Sequence, residues 1–283
     1  MLLACGFASA PLMANDEIPG AAQDRPIALI GGTIHPVVGD VIKEGTLVFD
    51  NGKITAIGRD VKLKISDAKT GALLWSFDLI AQPVRGRRKR LLVTDMESTV
   101  IHEEMLDELG RLAGLGERIA AITARAMNGE IDFRGAVRER VALLAGLSLE
   151  VLDAAWARAT LDPGATALVR TMKAAGARCL LVSGGFRYFT GRLVLQLGFD
   201  EHQGNELEVA DGRLTGRVFE PILDKAAKLD ALIAAAGAHH IPLAEAVAVG
   251  DGANDLPMIH AAGLGIAYHP KPAVAAEADH RLD

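Results

Sequence analysis

Residues 91–99 read Leu91-Leu-Val-Thr-Asp-Met-Glu-Ser-Thr99. The first four residues predict a short, apolar strand, and Asp95 comes directly after its end. A carboxylate at the end of a strand can attack phosphorus to give an acyl phosphate, and it can also ligate Mg²⁺. Glu97 points to the same side two residues later and can exchange a proton with a leaving oxygen. Taken alone, the motif fits a surface aspartate followed by a Ser-Thr helix cap equally well.

The strand at Leu91 is the first of several apolar strands that alternate with helices. The predicted strands are Leu91–Thr94, Cys179–Val182, Ala246–Val249 and Leu264–Ala267, with helices around 165–175 and 228–236 and helical spacing across 103–160. This alternation predicts an α/β fold with a parallel sheet covered by helices on both faces. Because ligands bind at the carboxyl ends of such strands, we expect Asp95, Ser183 and Asp251 to meet at one rim of the sheet.

A serine–glycine turn and a lysine supply two further groups that suit a phosphate. Val182-Ser-Gly-Gly-Phe186 offers the hydroxyl of Ser183 and unobstructed backbone N–H groups from Gly184 onward. The ammonium of Lys228 can offset the negative charges of a transferring phosphoryl group and its nucleophile. Taken singly, glycines after a strand usually form a plain turn, and most helix lysines are solvated.

The most specific motif is Val249-Gly-Asp-Gly-Ala-Asn-Asp255. Asp251 and Asp255 follow a predicted strand, and the glycines permit a tight loop. Carboxylate oxygens at such a position suit Mg²⁺, which keeps several waters and borrows a phosphate oxygen. For this motif alone, an ordinary Gly-Asp turn is the alternative.

The order and spacing of the four motifs decide between these alternatives, because they match in order the motifs of the haloacid dehalogenase superfamily. The finer resemblance is to the phosphoserine phosphatases of that superfamily, and it covers residues 83–283. It includes a helical cap inserted after the first motif, about 103–160. The resemblance implies a Rossmann-like parallel sheet with a C1-type cap. It also implies Mg²⁺-dependent hydrolysis of O-phosphoserine to serine and phosphate through an aspartyl-phosphate, a step of serine biosynthesis.

Carried over position by position, the resemblance implies a role for each site residue. Asp95 is implied as the nucleophile and Glu97 as the acid and base. The implied metal ligands are Asp95, the carbonyl of Glu97 and Asp251, with Asp255 holding the water shell. The phosphoryl group is assigned to Ser183, Gly184 and Lys228. The implied substrate contacts are Glu104 to the ammonium, Arg140 to the carboxylate through a two-pronged contact, Met127 and Phe133 as apolar cap contacts, and Asn254 as an orienting amide.

Position 97 departs from the phosphoserine phosphatase pattern, which has aspartate there. Glu97 places its carboxyl one methylene further out, and an ångström-scale displacement costs on the order of 100-fold in rate. We therefore expect subnormal hydrolysis and a faster Glu97→Asp protein. The related phosphoserine:homoserine phosphotransferases carry Asp-x-Glu at this motif, although their following residues differ from Ser98-Thr99. Phosphate transfer to another acceptor, hydrolysis of a different small phosphomonoester, and an inactive phospho-ligand-binding fusion product remain as alternatives.

Residues 1–82 belong to neither family. Residues 1–26 begin with an apolar stretch that resembles the later part of a secretory signal but lacks its basic start. Residues 27–82 predict a β-rich segment and linker, with an Asn51-Gly52 hairpin turn. Within it, 27–62 weakly resemble the N-terminal β-segment of amidohydrolases, and 67–78 resemble one propeller strand pair, which we interpret as a hairpin or linker. At the other end, phosphoserine phosphatases usually continue past the position of Asp283, so we expect the last helix of the sheet layer to be absent.

Composition limits the partners. Acidic residues outnumber basic ones by 36 to 30, for a net charge of −6, so we expect no nucleic-acid partner. No apolar stretch reaches the length of about 18 residues that a membrane span needs. The chain has two cysteines, and Cys179 lies in an apolar run that predicts a buried, reduced thiol. The expected partner is therefore a small phosphomonoester, O-phosphoserine, and the expected compartment is the cytoplasm, with export as the alternative.

Overall fold

The computed structural model describes part of the N-terminal third of the chain and nearly all of the remainder. The described residues are 27–34, 42–50, 53–58, 65–66, 73–75 and 86–282. The chain divides into two compact units, Met1–Ala81 and Gln82–Asp283. The signal-like segment 1–26 and the Asn51-Gly52 turn lie outside the described residues.

The N-terminal unit contains short antiparallel strands. Strands β1 (Ile27–Ile34), β2 (Ile42–Asp50) and β3 (Lys53–Gly58) form a three-stranded sheet in that order. Strands β4 (Ile65–Ser66) and β5 (Leu73–Trp75) form a separate pair. The predicted β-rich character of this segment is confirmed.

A six-stranded parallel sheet forms the centre of the second unit, in the order β13-β12-β11-β6-β7-β8. Its strands are β6 (Leu91–Thr94), β7 (Arg178–Phe186), β8 (Glu201–Asn205), β11 (Ala246–Gly250), β12 (Leu264–Tyr268) and β13 (Arg281–Leu282). Every residue of β6 and β11 is buried. Central strands of this kind are apolar because both faces of the sheet are covered. The predicted α/β sheet is confirmed.

Helices surround this sheet. They are α5 (Ala165–Ala174), α6 (Arg187–Leu197), α7 (Lys225–Ala238), α8 (Leu256–Ala261) and α9 (Pro272–Glu277), with a 3₁₀ turn at Leu243–Glu245. One apolar core joins Leu91 and Val93 of β6 to Leu232 of α7 and to Met258 and Ile259 of α8. The predicted helices around 165–175 and 228–236 are confirmed, and the second is longer than its pattern indicated.

Four short helices follow β6 inside the predicted cap region. They are α1 (Met105–Leu112), α2 (Gly116–Met127), α3 (Phe133–Ala142) and α4 (Glu150–Trp156). A hairpin of β9 (Leu207–Ala210) and β10 (Arg213–Val218) adjoins α3. The backbone of Leu214 exchanges hydrogen bonds with the segment after α3, accepting from Gly146 and donating to Leu147. The hairpin therefore supports the cap from the side of the sheet domain.

The structure corrects the predicted end of the second strand of the sheet. Strand β7 continues from Arg178 to Phe186, so Ser183 lies within it and not after it. Pairing with β8 is regular up to Val182, then shifts before it resumes at Phe186. The shift spans the two glycines that follow Ser183. This segment therefore remains on the strand but departs from the regular ladder at the rim.

Two smaller expectations concern membranes and thiols. Among the described residues, no helix is both long enough and apolar enough to span a bilayer. Cys179 is free and buried, as its apolar surroundings predicted. Burial raises the pKa of its thiol to about 11, so it stays protonated at neutral pH.

Candidate active site

Three buried carboxylates meet at the carboxyl ends of the two central strands. Asp95 follows β6, and its N–H donates to the carbonyl of Val249 on β11, which fixes the two strand ends side by side. Asp251 follows β11, and Asp255 closes the same loop. One oxygen from each carboxylate lies within 4.8 Å of the others, and the three residues are 5%, 7% and 0% exposed. Asp95 and Asp251 thus meet at this rim, as expected, and Asp255 lies beside them.

Lys228 reaches this cluster from α7. It is 2% exposed, although lysine is rarely buried without a partner. Its Nζ lies 2.8 Å from Oδ1 of Asp95 and donates a 2.6 Å hydrogen bond to Oδ1 of Asp255. The contact with Asp95 is an ion pair, and this ammonium is the donor group beside that buried oxygen in the described part of the chain. The lysine is thus fixed beside both acids.

The second oxygen of Asp255 is also occupied. It accepts the N–H of Gly252 at 2.9 Å, so both oxygens of this carboxylate are hydrogen-bonded inside the protein. The loop can close this tightly because Gly250 has no side chain. A Cβ at position 250 would lie 2.4 Å from Cγ of Asp255. Asp255 is therefore held in place as a fixed charge, while Asp95 and Asp251 have oxygens to offer.

The charges of this cluster are unbalanced, because three carboxylates face one buried ammonium and the exposed Lys271 comes only within 4.0 Å of Asp251. Burial, only partly offset by Lys228, raises the pKa of Asp95. Burial and the carboxylate of Asp255 raise the pKa of Asp251 to about 6. Burial opposes the charge of Lys228, but Asp95 and Asp255 outweigh it and raise the pKa of the ammonium above its usual value. A hard cation would relieve the excess negative charge, and oxygen donors suit such an ion.

Ser183 and Gly184 lie on β7, next to β6. Ser183 is buried, and its Oγ accepts the N–H of Gly185 at 2.8 Å, so its hydroxyl proton can serve a ligand oxygen. A Cβ at Gly184 would lie 3.3 Å from Cζ of Phe133, the first residue of α3. The aromatic ring of the cap therefore lies over the two glycines of β7.

Glu97, Glu104 and Arg140 form a second charged group between the sheet and the cap. Oε1 of Glu97 accepts the N–H of Met105 at 2.8 Å, and Oε1 of Glu104 accepts the hydroxyl of Ser98 at 3.1 Å. Burial, followed by the charge of Glu104, raises the pKa of Glu97 to about 8. Burial lowers the pKa of Arg140. Nearby carboxylates that include Glu97 and Glu104 raise it and partly offset that effect.

The remaining predicted residues occupy different surroundings. Asn254 lies on the loop between β11 and α8. Its side chain packs against Gly252, where a Cβ would lie 2.3 Å from Oδ1 of Asn254. Met127 ends α2 and is 84% exposed, and no contact brings it to the carboxylate cluster within the described residues. Phe133 is 40% exposed. Of the two apolar residues expected on the cap, only Phe133 therefore contacts the rest of the site in the described part of the chain.

Sequence reasoning missed Asn205. Its buried amide donates to the carbonyl of Gly184 at 2.7 Å and accepts the N–H of Leu223 at 2.8 Å. Asn205 thereby joins the glycines of β7 to the segment that leads into α7. Asn205 ends β8, so the strand-end rule applies to it only once that strand is known from the structure. The strand itself, Glu201–Asn205, is polar and gave no apolar signal.

The sequence also matches a family pattern over residues 92–260, that of the haloacid dehalogenase-like hydrolases. The chain belongs to the haloacid dehalogenase-like hydrolase family. The match spans Asp95, Ser183, Lys228 and the Asp251 loop, and it confirms the resemblance drawn from the four motifs.

Individual members of the family give a finer comparison. The phosphoserine phosphatase of Archaeoglobus fulgidus is 48% identical over 204 residues, which are 71% of this chain and 59% of that protein. The phosphoserine phosphatase of Lactococcus lactis is 46% identical over 195 residues, 69% of this chain and 90% of that protein. A solved structure described as a phospho-aspartyl intermediate analogue of phosphoserine phosphatase superimposes with a TM-score of 0.64 at 38% identity, covering 69% of this chain and 93% of that one. This chain thus spans less than two thirds of the Archaeoglobus relative but most of the Lactococcus one.

Proposed function

We propose that this protein hydrolyses O-phosphoserine to serine and inorganic phosphate through a phosphorylated Asp95. The observation that carries the proposal is the buried ion pair of Lys228 with Asp95, at a strand end beside Asp251 and Asp255. A lysine fixed against a buried carboxylate suits a reaction in which an anion attacks an anion. The names of the relatives and their identity to this chain support the choice of substrate.

A divalent cation, which we take to be Mg²⁺, belongs to this proposal. Three buried carboxylates with oxygens within 4.8 Å of one another, and the raised pKa of Asp251, support the fit of such an ion. Asp95, the carbonyl of Glu97 and Asp251 would hold it, with Asp255 toward its waters. When bound, the ion supplies positive charge that keeps both acids ionised and offsets the charge of the phosphoryl group.

In the first half of the proposed reaction, a carboxylate oxygen of Asp95 attacks phosphorus. The bond from phosphorus to the serine oxygen breaks, and that oxygen takes a proton from Glu97. With its pKa raised to about 8, Glu97 carries this proton at neutral pH. Ser183, the N–H of Gly184 and Lys228 bind the phosphoryl oxygens. Serine leaves, and Asp95 holds the phosphoryl group as an acyl phosphate.

In the second half, water attacks the phosphorus of the acyl phosphate. Glu97, now ionised, accepts a proton from that water, and the bond from phosphorus to Asp95 breaks. Inorganic phosphate leaves, and both carboxyl groups return to their starting states. The two halves require one group that first donates and then accepts a proton, which a single carboxyl provides.

The cap provides the proposed recognition of the amino acid. Glu104 would bind the substrate ammonium, and Arg140 would bind its carboxylate with two parallel hydrogen bonds. Phe133 closes over Gly184 beside the phosphoryl site. Asn254 would orient the substrate or the nucleophile. The side chain of Met127 is exposed. It would contact the substrate only in the complex, where the substrate is bound under the cap.

Release of phosphate from a panel of phosphomonoesters tests the proposal. We expect O-phosphoserine to react faster than p-nitrophenyl phosphate, which lacks the ammonium and carboxylate. We expect activity to vanish in EDTA and to return with Mg²⁺, because the acidic cluster cannot bind a phosphate dianion without a cation. Full activity in chelator would remove the assignment. Equal rates on both esters would keep the phosphatase and remove phosphoserine as its substrate.

Glu97 supports a second candidate, transfer of the phosphoryl group to an acceptor other than water. The phosphotransferases that resemble this chain carry glutamate at the same position of the first motif. The acceptor assay adds homoserine to O-phosphoserine and measures phosphohomoserine against free phosphate. We expect free phosphate to dominate, and dominant phosphohomoserine would favour the transferase.

The proposal also assigns regions and a compartment. We propose residues 83–283 as the phosphatase domain, with 103–160 as its cap, and 27–82 as a β-rich segment with no part in the chemistry. All groups assigned a role lie between Asp95 and Asp255. We propose the cytoplasm as the compartment because the reaction belongs to amino-acid biosynthesis.

A further inference from the structure

The carboxyl group of Glu97 is held between the cap and the two glycines of β7. On one side, Oε1 accepts the N–H of Met105, the first residue of α1. On the other side, the carboxyl group of Glu97 lies against the backbone of Gly185. A Cβ at Gly185 would come within 2.8 Å of Oε2 and within 3.0 Å of both Cδ and Oε1. The space that a side chain at position 185 would fill is therefore occupied by the end of Glu97.

Backbone conformation does not explain the glycine at position 185. The glycines with positive φ in the described residues include Gly176 and Gly198, but not Gly185. An L-residue could adopt this conformation, so its missing side chain matters for space. The N–H of Gly185 donates to Ser183, and alanine would keep that hydrogen bond. The space at Gly185 is thus matched to the residue at position 97.

We propose that this active site is built for glutamate at position 97, and that Gly185 is a positioning residue that makes room for its carboxyl group. This inference rests on the proposed function for the role of Glu97. An aspartate would withdraw its carboxyl by one methylene. It would lose the N–H of Met105 and leave the space beside Gly185 empty.

This proposal is opposite to an expectation drawn from the sequence. The family pattern alone predicted a faster Glu97→Asp protein. With the carboxyl held by Met105 and Gly185, we expect the kcat of Glu97→Asp to fall on the order of 10-fold to 100-fold, because small displacements of a reacting group are costly. The KM for O-phosphoserine should change little, since Glu104 and Arg140 remain in place.

A double-mutant cycle tests the match between the two positions. The proteins are the parent, Glu97→Asp, Gly185→Ala, and the protein with both changes. In the parent background the added methyl group displaces the flexible end of Glu97, so we expect kcat to fall about as far as in Glu97→Asp. In the Glu97→Asp background the methyl group enters vacant space, so we expect little further loss. Gly237→Ala is the matched control, because a Cβ there meets nothing within 4 Å among the described residues.

Turnover and thermal unfolding are both measured across the cycle, so that the match between positions 97 and 185 and the choice of substrate are tested separately. Turnover is measured with O-phosphoserine and, if that substrate fails, with whichever phosphomonoester the parent hydrolyses. Thermal unfolding of the same four proteins gives the coupling even if no ester reacts. We expect Gly185→Ala to lower Tm more with Glu97 than with aspartate. The proposal is overturned if Glu97→Asp is as fast as the parent, or if Gly185→Ala costs the same factor in both backgrounds. In a protein without turnover, equal Tm losses in both backgrounds overturn it.

Discussion

The side chain of Lys228 shows how one residue serves both the fold and the chemistry. A lysine with 2% exposure is tolerated because Asp95 and Asp255 balance its charge. The same ammonium limits the repulsion among the acids of the site. Removing a partner from a buried ion pair leaves an uncompensated buried charge, which costs more than the pair itself contributes.

We predict that Lys228→Met lowers the free energy of unfolding by about 3–5 kcal/mol in the absence of divalent cations, because Asp95 and Asp255 lose their shared partner. Urea denaturation in EDTA measures the loss. Lys225→Met, on the exposed side of the same helix, is the control and should change little. Equal losses of unfolding free energy in the two proteins would contradict a stabilising role for the buried ion pair. Mg²⁺ should restore part of the stability of Lys228→Met.

The charged residues of the site were predictable because chemistry selects their type and position. Asp95 and Asp251 each follow an apolar strand, and parallel strands bring such residues to one rim. Lys228 needed the order of the other motifs, because helix lysines are common. Asn205 and the space at Gly185 were beyond the sequence. Their roles depend on neighbours distant along the chain, and these become visible only when side chains are packed.

At the scale of elements, the site lies where the cap helices meet the ends of the strands. Helix α1 provides the N–H that holds Glu97, and α3 provides Phe133 over Gly184. Arg140, on α3, is within electrostatic reach of Glu97 and Glu104. The sheet thus carries the groups proposed to react, while the cap carries those proposed to choose the substrate.

We predict that Arg140→Lys raises the KM for O-phosphoserine roughly tenfold, since lysine cannot make the two-pronged contact and loses about one charged hydrogen bond. The KM for p-nitrophenyl phosphate should stay within about twofold of the parent value, because that ester has no carboxylate for Arg140 to bind. Arg138→Lys is the control on the same helix, because Arg138 forms an exposed pair with Glu220. Equal increases in KM for both esters would contradict a role in amino-acid recognition.

The apolar strands of the sheet were predictable, and the polar elements were not. Strands β6, β11 and β12 lie in or beside the centre of the sheet and are therefore continuous apolar runs. Strand β8 is an edge strand, where Glu201, His202 and Gln203 face less of the core, and its sequence resembles a loop. Strand β7 is longer than predicted, because Gly184 and Gly185 usually indicate a turn. In this sheet they instead mark a shift in pairing at the rim.

At the scale of the whole molecule, the chain consists of two units of different character. The first contains antiparallel strands, and the second contains the parallel sheet, the cap and every residue proposed to act on the substrate. The parallel sheet has its own apolar core, formed by residues from Leu91 onward. The sequence indicated this division through a change from alternating short strands to strands separated by helices.

We predict that a protein beginning at Gln82 keeps the turnover of the full chain on O-phosphoserine to within about twofold, because domains with their own core fold independently. Steady-state phosphate release at saturating Mg²⁺ compares the two proteins, and circular dichroism confirms that the shorter one folds. A folded but inactive shorter protein would show that the N-terminal unit contributes to catalysis.

The central claim is that Asp95 is the nucleophile of a phosphoserine phosphatase, and turnover of Asp95→Asn tests it most directly. Asparagine keeps the shape of the side chain and removes the attacking charge. Phosphate release from O-phosphoserine with saturating Mg²⁺ is measured for the parent, for Asp95→Asn, and for the exposed control Asp230→Asn. We predict full activity in the control and no more than a trace in Asp95→Asn, with similar circular dichroism for all three. Substantial turnover by Asp95→Asn would mean that another group attacks phosphorus and that Asp95 is not the nucleophile.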